Sequence, residues 1–109
     1  MNGLLLLGFA ILSEIVATTA LKLSDGFTKP LPSLLVVVGY GIAFYLISLS
    51  LRQIPIGTAY AIWSGVGTVA TAAIGVLLWK ETLEPGRIIG IALIIIGVVV
   101  LQAFSKAAA

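Results

Sequence analysis

Neither cysteine nor histidine occurs in the 109 residues, and only 9% of them are charged. Without cysteine there is no disulfide and no thiolate metal site. Without histidine as well, a transition-metal centre loses its commonest ligands. The shortage of charge excludes more: six Lys and Arg against four Asp and Glu leave a net charge of +2, too sparse for a nucleic-acid surface. With 61% hydrophobic residues and a mean hydropathy of +1.24, the chain reads as an integral membrane protein. Neither an enzyme nor a cofactor is expected, because the membrane interior would offer one type of carboxylate and no metal-ligand cluster.

What is present is apolar sequence in four runs, at residues 4–21, 33–51, 58–79 and 88–104, each long enough to cross a bilayer as a helix. Between them lie short segments rich in charge, Pro and Gly: Lys22 to Pro32, Arg52 to Gly57, and Lys80 to Arg87. Four spans with short connections predict one domain, an all-α membrane protein folded as a compact antiparallel helical bundle, with both ends on one side. By the positive-inside rule, Arg52 and Lys106 oppose Lys22, Lys29, Lys80 and Arg87. The excess of two is small, so orientation is poorly specified.

The first run carries one carboxylate, Glu14, the eleventh of its eighteen residues. Eighteen helical residues rise roughly 27 Å, so Glu14 falls near the bilayer centre, where a charge costs at least about 2.5 kcal/mol. No Lys, Arg or His shares the span. Such a group escapes the cost by holding its proton, and its charge then depends on what else occupies the site. That is the chemistry of a proton-linked cation site, with the proton as coupling ion. The alternative is a structural hydrogen bond to a neighbouring helix. A cleaved signal peptide is not expected, since Glu14 interrupts the run and Met1-Asn2-Gly3 carries no cation.

Residues one turn from Glu14 are Ala10, Ile11, Ala17 and Thr18. The alanines leave room for a ligand or for a packed helix, and Thr18 offers a hydroxyl. Tyr60, Trp63, Ser64 and Gly67 share one face of the third run, where aromatics can hold a flat cation or form an interfacial belt. Tyr40 and Phe44, four apart on the second run, add a further wall or fill the core. Gly65 and Gly67 read either as a hinge or as points of close helix contact. Gly90 and Gly97, with Leu93 between them, keep a small stripe along the fourth run, which suits a dimer interface. A chain this short cannot enclose a drug-sized pocket, and a carrier often needs two inverted halves. Self-association is therefore expected.

The stretches SEIVATTALKLSDGFTK around Glu14 and IPIGTAYAIWSGVGT around Trp63, with Gly90 and Gly97, resemble the small multidrug resistance family of bacterial inner-membrane transporters. The likeness covers essentially the whole chain. It implies a proton-coupled exporter of lipophilic and quaternary ammonium cations, acting as an antiparallel, dual-topology homodimer. The family's membrane carboxylate falls on Glu14, its substrate-lining aromatics on Tyr40, Tyr60 and Trp63, and its dimer helix on the fourth span. A guanidinium-exporting branch usually carries tryptophan and serine where this chain has Ala17 and Ala43, so the multidrug branch is the nearer match. The guanidinium exporter, one subunit of a heterodimeric pair, and a non-transporting assembly or regulatory protein are the alternatives.

Overall fold

The computed structural model describes residues 2–104; Lys106, which enters the charge count above, lies outside them. Four helices, α1 (Gly3–Leu23), α2 (Pro30–Ser50), α3 (Ile56–Trp79) and α4 (Pro85–Phe104), account for nearly all of it. Each is long and apolar enough to span a membrane, with 20 to 24 residues apiece.

The ends of these helices follow local chemistry. Asn2 caps α1 by accepting the Leu4 amide at 2.7 Å, and the Gly3 amide donates to the Gln53 side chain at 2.8 Å. The helix runs on through Lys22 and Leu23, beyond the expected boundary at residue 21, because a cation in the last turn suits the helix dipole. Pro30 and Pro85 stand at the first positions of α2 and α4, so both helices begin three residues before the apolar runs do. The first turn carries its reversal on Asp25, Gly26 and Phe27, all with positive φ. Ser24, fully buried, stitches it by donating to the Leu21 carbonyl and accepting the Phe27 amide.

The helices alternate in direction as expected, but they do not close into a compact bundle. α1 packs chiefly on α2 and also on α3, while α4 packs chiefly on α3. The resulting order, α2–α1–α3–α4, makes an open layer of 44 × 35 × 16 Å. The cause lies in side-chain size. α1 buries Gly3, Ala10 and Ala17 at heptad spacing and α2 buries Gly39 and Ala43, so these two backbones approach closely. A Cβ on Gly39 would lie 2.8 Å from that of Ala17, and the Ser13 hydroxyl donates to the Gly39 carbonyl at 2.8 Å. A separate apolar cluster, Leu7, Ile11, Ile54, Ala59 and Ile62, joins α1 to α3 at the other end of the layer. No residue of α4 is fully buried; Ile94 and Val98 pack on Gly65 of α3, while Leu93, Ile95, Ile96 and Val99 face outward.

Gly39→Ala should therefore lower the unfolding stability in detergent by about 1–3 kcal/mol through overpacking. Gly41→Ala, whose Cβ would meet nothing within 4 Å, should leave it unchanged or slightly raised. Equal behaviour of the two variants would contradict the close α1–α2 contact.

Candidate cation site

Where the tight α1–α2 pair meets α3, the open layer leaves a cavity of about 220 Å³ lined by Glu14, Thr18, Tyr60, Trp63, Ser64 and Gly67, with Thr68 and Thr71 completing its wall. Glu14 is half-buried. Its Oε1 accepts the Thr18 hydroxyl at 2.8 Å, and Thr18 Oγ1 lies 2.6 Å from the Tyr40 hydroxyl. Thr18 has one proton to give. With the carboxylate taking it, Tyr40 must donate to Thr18, and the chain of donors runs Tyr40 to Thr18 to Glu14.

The second carboxyl oxygen is different. Glu14 Oε2 is buried with no hydrogen-bond partner among the described residues, and it points at Gly67, where a Cβ would come within 3.2 Å. A buried carboxylate oxygen left unpaired costs more than an unmade neutral hydrogen bond. A proton on it, a water or a cation beside it would each relieve that cost. Gly67 leaves the oxygen the space.

The aromatic side chains form a connected series above this group. Tyr40 and Phe44 stack with centroids 6.2 Å apart and planes at 24°; Phe44 meets Trp63 edge-on at 5.9 Å and 84°; Trp63 meets Tyr60 at 5.6 Å and 72°. Tyr40 thus belongs both to the donor chain ending on Glu14 and to the aromatic series, although of that series only Tyr60 and Trp63 line the cavity and Tyr40 and Phe44 stand behind them. Tyr60 is largely exposed, which leaves ring surface free for a ligand.

Not every expected residue reaches the cavity. Ala10 and Ala17 are fully buried, Ala17 against Gly39, and Ile11 belongs to the apolar cluster, so these three are packing residues here. The expected hinge is not visible as a break: α3 is continuous from Ile56 to Trp79. A Cβ on Gly65 would strike Val98 Cγ2 at 2.7 Å, making it the close-contact point for α4, while Gly67 makes room for Glu14. Leu93 is exposed and a Cβ on Gly90 or Gly97 would meet nothing within 4 Å, but Gly97 lines a recess between α3 and α4 with Ser64, Thr68 and Val98, so the glycine stripe lies along the α3 side of α4. Thr68 and Thr71 were missed, although they continue the Trp63, Ser64, Gly67 face at three- and four-residue spacing. Their hydroxyls donate back to the Ser64 and Gly67 carbonyls at 2.6 and 2.7 Å, so what they can offer the cavity is acceptor lone pairs.

The profile of the Small Multidrug Resistance protein family matches residues 2–94. The chain belongs to that family. It is 53% identical over its full length to the quaternary ammonium compound-resistance protein QacE of Escherichia coli, covering 99% of that protein. It is 49% identical to a multidrug transporter of Pseudomonas aeruginosa, over 98% of this chain and 97% of that one. The multidrug resistance protein EbrA of Bacillus licheniformis is 52% identical over 92% of this chain and 95% of its own length. These relatives are named as resistance proteins and a transporter rather than as enzymes. Family membership and four spanning helices make this a multi-pass protein of the bacterial inner membrane.

If Tyr40, Thr18 and Glu14 act as one donor chain in this family member, Thr18→Val and Tyr40→Phe should not be additive. A double-mutant cycle on detergent unfolding should return a coupling of about 1 kcal/mol. Additivity within error would show that the two hydroxyls act separately.

Proposed function

We propose that this chain is a proton-coupled antiporter that exports lipophilic, aromatic and quaternary ammonium cations, with Glu14 as the group that binds either protons or the cation. The observation that carries the reading is the unpartnered Glu14 Oε2 beside an aromatic wall. The names of the relatives support the substrate class. A deprotonated Glu14 attracts a cation that Tyr60 and Trp63 can hold by cation–π contact, worth about 2 kcal/mol when water is excluded. A protonated Glu14 loses that attraction and can instead donate to Thr18, reversing the donor chain through Thr18 to Tyr40. Competition of this kind, combined with alternating exposure of the site, lets an inward proton gradient drive the cation out.

The multidrug branch is favoured over guanidinium export because Ala17 and Ala43 are both buried completely. Neither lends a polar or indole group to the cavity, whose wall is aromatic and threonine-rich. The proposal includes an antiparallel homodimer of oppositely inserted copies. Its supports are the open layer, the exposed apolar face of α4 that includes Leu93, Ile96 and Val100, and the small charge excess in the loops. Two such copies would place two Glu14 carboxyls at one shared site.

Glu14→Gln keeps the shape of the side chain and removes the titrating group. Reconstituted vesicles of this variant should show no proton-driven efflux of a quaternary ammonium, while the protein remains folded; efflux at the wild-type rate would refute the proposal.

Dual insertion has its own test. Extra lysines in the first loop should deplete one orientation and lower resistance, and co-expression with an oppositely biased variant should restore it. Orientation is read by labelling Ala109→Cys from each side of the membrane. A wild-type background labelled from one side only, yet fully active alone, would refute the antiparallel pair.

A further inference from the structure

Beyond the Glu14 cavity, where α1 and α3 end, lies a smaller recess of about 110 Å³ whose walls include Thr18, Lys22, Thr71, Gly75, Trp79 and Glu81. Lys22 reaches into it from the last turn of α1. Its Nζ lies 3.1 Å from Glu81 Oε2 and 4.8 Å from the centre of the Trp79 ring. A carboxylate and an indole face converging on one ammonium group form a recognition geometry for an organic cation, and here the cation is tethered to the chain itself. The backbone is shaped for it. Lys80 takes the left-handed conformation (φ 54°) at the end of α3, and the Glu81 carboxylate folds back against Gly75, which has no Cβ to obstruct it. Arg87 approaches the other Glu81 oxygen at 3.8 Å and fixes it from the α4 side.

Two features connect this recess to the cavity described above. Thr18 and Thr71 line both, so the two spaces share a wall of hydroxyls. Lys22 and Glu81 are both substantially exposed, so the ammonium can leave for water at the membrane edge with little loss. We infer that the Lys22–Trp79–Glu81 recess is an outer cation site that receives trimethylammonium-type head groups between the membrane surface and Glu14, with the Lys22 ammonium as a built-in competitor that the incoming cation displaces. The inference rests on the organic-cation reading of the Glu14 cavity. The size of the recess suits a compact alkylammonium head and not a fused-ring dye, so the outer site discriminates among cations by head-group size before the aromatic wall does.

The test uses full-length protein carrying Trp63→Phe, in which Trp79 is the remaining tryptophan, titrated with benzyltrimethylammonium and read by Trp79 fluorescence. A saturable change is expected. Glu81→Gln should weaken it at least about fivefold, and Lys22→Met should tighten it several-fold by removing the competitor. Glu14→Gln should leave it within about twofold, because the site is separate. A Trp79 response that disappears with Glu14→Gln, or that is indifferent to Glu81→Gln, overturns the inference. So does Lys22→Met failing to tighten binding, a reading that stands alone should Glu81→Gln not fold. Failure here leaves Glu14-dependent efflux intact, whereas failure of the transport reading shows in that efflux and not at Trp79.

Discussion

A carboxyl group with only one of its two oxygens partnered, placed midway along a membrane-spanning helix, sets the terms for the rest of this molecule. Glu14 Oε1 is held by Thr18, and Thr18 by Tyr40, whereas Oε2 faces a gap kept open by Gly67. A buried oxygen left unpaired favours any partner that enters, and in the function proposed above those entrants are protons and organic cations. In that proposal Tyr60 and Trp63, the rings that line the cavity, supply the surface against which the larger entrant rests.

The architecture makes this site accessible. Close packing is concentrated between α1 and α2, where glycine and alanine stripes let the backbones meet, and that rigid pair presents Glu14 toward α3. α3 and α4 are attached more loosely, through Gly65 against Val98 and Ile94. The apolar groove of about 240 Å³ between them, lined by Val66, Val69, Ile94 and Val98 among others, contains almost no polar surface and adjoins the exposed face of α4. Within one chain, this groove and the α4 face stay uncovered.

Much of this was readable from the residues. Run length gave four helices, and helical periodicity places the pair Glu14 and Thr18 on one face of α1 and the four residues Tyr60, Trp63, Ser64 and Gly67 on one face of α3, the two faces that meet in the cavity. Three features were not readable, for physical reasons. Ala10 and Ala17 are the same residue type whether they line a ligand or pack a helix, and only the 2.8 Å approach to Gly39 decides between these roles for Ala17. Gly65 and Gly67 would allow a hinge, but neighbouring side chains rather than backbone unwinding explain why they are small in this conformation. The open layer depends on which helix faces meet, and four apolar faces of similar hydropathy do not encode that order. Proline positions, by contrast, are informative about helix starts: Pro30 and Pro85 occupy first-turn positions, where a missing amide proton costs nothing.

Competition between protons and cation at Glu14 is the central claim, and proton release measures it most directly. Adding a quaternary ammonium to weakly buffered, detergent-solubilised protein, over a series of pH values, should release protons as the cation binds. The same addition to Glu14→Gln should release none. Saturable cation binding by the wild type with no proton release at any pH of the series, or equal release from the Gln variant, would contradict the account.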